Sequence, residues 1–154
     1  MKNRASLTFL RILAGVALLI NATAHATVAV HAQWVEPTPD RAATEAYMVL
    51  TSTDGAVLKE VRSTIATTVV LRKAGTGTKN LPQLDLPAGV PVALAPDAVH
   101  LVLRGLAHPL TVGERVPLLL TVELANGARQ EIPVTAEVRL RSPLDDPRRV
   151  RGAP

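Results

Sequence analysis

The hydrophobic positions of this chain recur with the two-residue period that is typical of β-strands. Short runs of alternating apolar and polar residues end at Gly, Pro or Asn, which predicts half-buried strands joined by turns. These runs are Tyr47–Ser52, Val57–Arg62, Ile65–Arg72, Val90–Leu94, Val99–Leu106, Val116–Leu124 and Arg129–Leu140. Helical character is limited to a turn near Asp40–Glu45, and twelve prolines argue against a helical bundle. The pattern therefore predicts an all-β domain, either a β-sandwich or a small barrel.

The last two runs flank Asn126-Gly127, which predicts a β-hairpin. Both residues tolerate a positive φ, so we expect a type I′ turn at this point. Lys73–Asn80 contains Gly75 and Gly77 and is predicted to be an exposed loop. These two glycines lack the spacing of a phosphate-binding loop.

The first residues have the pattern of a secretory signal rather than of the domain. Two basic residues in Met1–Arg4 and a third shortly afterwards precede Ile12–Ile20, which is entirely apolar, and small residues follow. Nine apolar residues are far short of the roughly 20 that span a bilayer, which argues against an uncleaved anchor. Cleavage after Ala26 or after Ala32 is compatible with the pattern, and we favour Ala32 because the sequence begins to look like that of a folded domain at Gln33. The sequence thus predicts a periplasmic or secreted protein with no stable membrane span after cleavage.

Composition narrows the functional classes further. Three of the 17 basic residues and none of the 13 acidic ones lie in Met1–Ala32, so the remainder has a net charge of +1. This balance and the scarcity of aromatic residues argue against nucleic-acid binding. The absence of cysteine excludes disulfides, thiolate ligands and a lipid anchor on a cysteine of these residues. We recognise no catalytic motif and predict a non-enzyme. The Pro- and Arg-rich end, Arg141–Pro154, is predicted to be a disordered basic tail.

Six segments occur in the order of a known domain, and their spacing matches that domain from Leu86 onward. They are Ala46-Tyr47-Met48, Val57–Lys73, Leu86-Pro87-Ala88-Gly89, Ala95–Leu101, Gly105–Leu110 and Gly113–Leu118. Together they resemble the periplasmic copper chaperone domain called PCu(A)C. The resemblance implies a cupredoxin-like or immunoglobulin-like β-sandwich, here of about seven to nine short strands over Gln33–Leu140. It also implies copper as the cargo and a copper-accepting exported protein as the partner.

The resemblance implies a copper site only in part. The family's ligands follow the pattern His-x10-Met-x21-His-x-Met, which suits Cu(I) because thioether sulfur is a soft ligand. His100 occupies the third position, whereas Val102 stands at the fourth and Arg72 at the first. The second position falls in Lys73–Gly89, which is about six residues shorter than in the family and contains no methionine. The remaining candidate, Met48, matches an apolar position of the family and is predicted to lie in the core.

Each histidine that remains after signal cleavage has two interpretations. His100 is either a metal ligand or a hydrogen-bonded residue at the rim of the sandwich. His108 fits an exposed loop better than a metal site. A pair of His100 and His108, assisted by Asp97, would offer a weak site for Cu(II) or Zn(II).

Two functional hypotheses follow from these observations. In the first, the protein is an exported copper-chaperone-like protein that binds and delivers copper with a degenerate ligand set. In the second, it is a metal-free exported β-sandwich that acts as a protein-binding or structural module.

Overall fold

The computed structural model describes residues 26–75 and 79–145, which form a sheet of ten strands. The strands are β1 (Val28–Val35), β2 (Ala43–Ser52), β3 (Ala56–Arg62), β4 (Ala66–Lys73), β5 (Asn80–Leu81), β6 (Leu84–Leu86), β7 (Val92–Leu94), β8 (Val99–Leu106), β9 (Arg115–Leu124) and β10 (Arg129–Val138). The prediction of an all-β, sandwich-like fold is confirmed. The described part has more strands than the sequence predicts because β5 and β6 are too short to show alternation and β1 lies where the signal was expected.

The strands form one continuous hydrogen-bonded path, β5-β4-β8-β2-β1-β10-β9-β3-β6, and β7 pairs with β2. Neighbouring strands are antiparallel except β1 and β10, which are parallel. Residues Ala43–Ala46 of β2 pair with β8, and Met48–Leu50 pair with β7. β2 therefore pairs with three strands, β1, β7 and β8.

The core is built from one face of each long strand. Alternate residues of β2, β8, β9 and β10 point inwards, as the two-residue period requires. Members with less than 2% exposure include Met48, Leu50, Leu101, Leu103 and Leu120. Met48 is a core residue, as predicted, so its thioether is not available at the surface.

The hairpin between β9 and β10 forms where predicted, but its turn is of another type. Gly127 has φ +82°, whereas Asn126 does not have a positive φ, and a type I′ turn needs both. The amide of Gly127 donates to the carbonyl of Leu124, and the amide of Leu124 donates to the carbonyl of Ala128. This is the pattern of a type I turn followed by a left-handed glycine and a bulge.

The sheet begins at Val28, five residues before the predicted start of the domain at Gln33. The first half of β1 pairs with β2 from Val28 opposite Ser52 to His31 opposite Val49. The alternation of β1 is interrupted at Ala32, and for this reason the sequence did not reveal one continuous strand.

The described end of the chain is also more ordered than predicted. A 3-10 turn covers Pro143–Asp145, and Pro143 is buried. The first five residues of the predicted disordered tail, 141–145, thus belong to the described structure. Residues 146–154, residues 1–25 of the predicted signal and residues 76–78 of the predicted loop lie outside the described residues. Within the described ranges no helix has the length and hydrophobicity of a membrane span.

We expect signal cleavage after Ala26, which leaves Thr27 as the first residue of the exported protein. Cleavage after Ala32 would remove the first half of β1, including Val28 and Val30, which pair with β2 and pack against the core. N-terminal sequencing or the intact mass of the exported protein measures the site directly. A chain beginning at Gln33 should have a free energy of unfolding lower by about 2 kcal/mol, the scale of two partly buried valines. Recovery of an exported protein that starts at Gln33 would contradict this expectation.

Candidate functional site

The pairing of β4 with β8 brings three predicted ligand positions together. Arg72 lies directly opposite His100, and Val70 lies opposite Val102. Leu101 points into the core, so the residues on either side of it, His100 and Val102, lie on the opposite side of the sheet, which we call the outer face. Positions 72, 100 and 102 are therefore neighbours, as a shared metal site requires.

His100 is buried in the outer face with one ring nitrogen bonded and the other without a partner. The side chain is 6% exposed, and Nδ1 lies 3.2 Å from the carbonyl oxygen of Ala98. Because a carbonyl oxygen only accepts, Nδ1 carries the hydrogen of this bond. Nε2 has no hydrogen-bond partner among the described residues and lies 3.6 Å from Glu45 Oε1. The interpretation of His100 as a hydrogen-bonded residue thus accounts for Nδ1 but not for Nε2.

Glu45 belongs to a group on the outer face that we call the outer-face cluster: Trp34, Glu36, Glu45, Tyr47 and His100. The Tyr47 hydroxyl lies 2.6 Å from Glu45 Oε2 and 3.0 Å from Glu36 Oε1. The ring of Tyr47 lies with its centroid 4.6 Å from that of Trp34 and 6.2 Å from that of His100. The cluster therefore places two carboxylates, a phenol and an imidazole beside one another.

The Tyr47 hydroxyl keeps its proton in this environment. Burial raises the pKa of Tyr47 far above its ordinary range, and the hydrogen bonds to Glu45 and Glu36 raise that pKa further. A neutral hydroxyl has one hydrogen to donate, while two carboxylates contact it. Only one of the two contacts can receive that hydrogen.

Sequence reasoning missed the two carboxylates of this cluster. Glu45 was assigned to a turn near Asp40–Glu45, but β2 already begins at Ala43. The sequence did contain a signal, since Glu45 and Tyr47 are two residues apart and share a face once a strand is assumed. Glu36 follows β1 directly, and its place in the cluster was not predicted because β1 itself was not predicted.

Arg72 and Val102 do not fit a Cu(I) site of histidine and methionine ligands. Val102 is 3% exposed and offers no ligand atom. Arg72 carries a permanent positive charge, which would repel a metal ion, and its buried Nε has no hydrogen-bond partner among the described residues. Histidine nitrogen and carboxylate oxygen are instead the donors that the outer-face cluster presents.

His108 lies in the loop after β8 and does not join His100. Its Nδ1 lies 2.8 Å from the Pro109 carbonyl oxygen and 3.8 Å from Glu114 Oε2, and its side chain is exposed. Six residues of extended β8 separate His100 from Leu106, which corresponds to about 20 Å. The proposed pair of His100 and His108 is therefore not formed, and Asp97 is exposed without a contact to either ring. Across the described ranges no three His, Asp or Glu side chains are placed to hold one metal ion.

Comparison with known proteins identifies the family. A family model with the description "Putative lipoprotein LpqE-like" matches residues 28–135, which is more than half of the chain. The chain belongs to the LpqE-like family. The matched region begins at the first residue of β1, so this family includes the strand that the sequence analysis assigned to the signal. The family description contains the word lipoprotein, but these 154 residues contain no cysteine that could carry a lipid.

Solved structures place this LpqE-like chain among the PCu(A)C domains, as the sequence motifs predicted. The Cu(I)-bound DR1885 protein from Deinococcus radiodurans is 30% identical, with a TM-score of 0.57, and the match covers 77% of this chain and 83% of DR1885. The apo PCuAC domain from PmoF1 is 18% identical, with a TM-score of 0.62 and coverages of 75% and 98%. The copper-bound PCuAC domain from PmoF2 is 18% identical, with a TM-score of 0.57 and coverages of 75% and 99%. A search of curated proteins finds no match.

We expect that Arg72→His combined with Val102→Met raises the affinity for Cu(I) by at least about tenfold, or 1.4 kcal/mol. The double substitution places two histidines opposite each other and a thioether two residues along the same face, with donors that suit Cu(I). Competition with a chromophoric Cu(I) chelator in the absence of oxygen measures the affinity. Arg104→His is the control, because it adds a histidine on the same strand about 13 Å from His100. Equal affinities of the double variant and the unmodified protein would contradict the proposed correspondence of positions.

Proposed function

We propose that the protein is an exported copper-chaperone-like protein that contacts its copper ion through His100. The observation that carries this proposal is His100 Nε2 at the one retained ligand position, where it has no hydrogen-bond partner among the described residues. Its Nδ1 is bonded to a backbone carbonyl, which is the usual way of orienting a histidine that binds a metal. The ligand set is degenerate, since Arg72 and Val102 occupy two further positions.

The relatives support copper as the cargo. DR1885 was solved with Cu(I), and the PmoF2 domain was solved with copper. A copper chaperone is not an enzyme, and its partner is a copper-accepting protein that takes the ion by ligand exchange. The basic start of the chain, its short apolar stretch and the small residues that follow support export to the periplasm or the medium.

A second candidate is a metal-free exported module that binds another protein. The observation in its favour is the Arg72 guanidinium directly opposite His100, where the family has a histidine ligand. A permanent cation directly opposite His100 disfavours a metal ion at that position. Val102 offers no ligand atom at the position where the family has a methionine. On this hypothesis the outer-face cluster is a structural element rather than a cargo site.

Copper titration of the exported protein decides between the two candidates. We expect binding of copper at micromolar or lower concentration, and we expect His100→Ala to weaken it by at least about tenfold. His108→Ala is the matched control, because it removes a histidine that lies outside the cluster. Both Cu(I) and Cu(II) are titrated, by chelator competition and by calorimetry respectively. Absence of binding tighter than micromolar in both oxidation states would favour the metal-free module.

A further inference from the structure

The contact between His100 Nε2 and Glu45 Oε1 is longer than a hydrogen bond, and Nε2 has no other hydrogen-bond partner among the described residues. Nδ1–H of His100 donates to the carbonyl of Ala98, so in the neutral ring Nε2 carries a lone pair. A carboxylate oxygen, Glu45 Oε1, lies 3.6 Å from this nitrogen. Two acceptors that face each other repel unless a cation or a proton lies between them. Both atoms are placed as two ligands of a single ion would be.

The orientation of Glu45 is fixed from its other side. The protonated Tyr47 hydroxyl lies 2.6 Å from Glu45 Oε2, which leaves Oε1 directed at His100. In protein metal sites, a carboxylate that binds the metal through one oxygen is typically hydrogen-bonded through its other oxygen. Tyr47 is thus a positioning residue for Glu45.

Glu36 adds a second carboxyl group beside Glu45. It follows β1, its amide donates to the carbonyl of Glu45, and its Oε1 lies 3.0 Å from the Tyr47 hydroxyl. Like charges at neighbouring positions of a strand pair destabilise a sheet unless they are neutralised. Neither Glu36 nor Glu45 forms an ion pair with Arg72. The cluster therefore has two carboxyl groups, one hydroxyl hydrogen and an imidazole nitrogen without a hydrogen-bond partner among the described residues, and the two carboxyl groups offset the repulsion between a bound cation and Arg72 opposite His100.

We propose that His100 Nε2 and Glu45 Oε1 bind one divalent ion of the borderline class, Cu(II) or Zn(II), as an open two-ligand site. Imidazole and carboxylate suit these ions, whereas Cu(I) prefers the sulfur donors that this chain lacks here. Water or a side chain of a partner completes the coordination, because no third His, Asp or Glu of the described residues is in place. The part of this inference that concerns Cu(II) rests on the proposed function, whereas the part that concerns Zn(II) is independent of it.

The test uses the exported protein and the metal ions alone, Zn(II) and Cu(II) in separate calorimetric titrations. We expect Glu45→Gln and His100→Ala each to lower the affinity for both ions by at least about tenfold. This is the lower end of the effect of altering a metal site's supporting residues. Glu114→Gln is the matched control, since Glu114 faces His108 at 3.8 Å in an exposed pair of the same composition. Tyr47→Phe should weaken binding less than Glu45→Gln, because it removes the orienting hydrogen bond and keeps both ligands.

A second measurement keeps the proposal testable if a variant fails to fold. Nitrogen NMR of the unmodified protein should show a lone pair on His100 Nε2 that Zn(II) removes, with Nδ1 still protonated. A ring that carries hydrogen on both nitrogens and does not respond to Zn(II) would overturn the proposal. In that case a proton, rather than a metal ion, lies between His100 Nε2 and Glu45 Oε1. Equal affinities in the unmodified protein and Glu45→Gln would overturn it as well.

The outcomes separate this inference from the proposed function. Cu(I) binding that depends on His100 but not on Glu45, without Zn(II) or Cu(II) binding, overturns the inference and leaves the copper chaperone in place. Binding of Zn(II) through both residues without any copper binding supports the inference and overturns the proposed copper function.

Discussion

The burial of Leu101 and Leu103 is the constraint on which the candidate site depends. Both side chains have no exposed surface, and alternation then forces His100 and Val102 to the outer face. The pairing of β8 with β4 adds Arg72 opposite His100, and its pairing with β2 adds Glu45 opposite Val102. A register shift of one residue in β8 would move Leu101 and Leu103 to the outer face and place His100 in the core. The packing of the leucines therefore fixes the register of β8 and with it the position of His100.

The same constraint explains how a family can keep its fold while its site changes. The core residues of β8 tolerate little variation, because a cavity or a buried polar group costs several kcal/mol. Positions on the outer face lie outside this core, and here they hold Arg72, Val102 and the carboxylates. The donors that surround His100 are consequently oxygen rather than sulfur. Among the described residues the thioether of Met48 belongs to the core face of β2.

The sequence predicted the features that follow from strand period, and it missed those that follow from contacts between distant strands. Val99–Leu106 was predicted with its observed limits, because its alternation is regular and its ends are marked by turns. The position of His100 followed from motif spacing. The Glu45 contact did not, since Glu45 and His100 are 55 residues apart and only the pairing of β2 with β8 joins them. The turn at Gly127 was misjudged because Asn-Gly is compatible with more than one hairpin turn.

The outer-face cluster also depends on a single extra residue in β1. The register between β1 and β2 shifts between His31 and Trp34, and Ala32 adopts φ +53°, which is unusual for alanine. Val30 lies opposite the buried Leu50, so without this bulge Trp34 would point into the core and Val35 outwards. With it, Val35 is buried and Trp34 lies against Tyr47, beside which the chain continues to Glu36. A local backbone irregularity, which no periodic pattern can predict, thus closes one side of the cluster and supplies its second carboxylate.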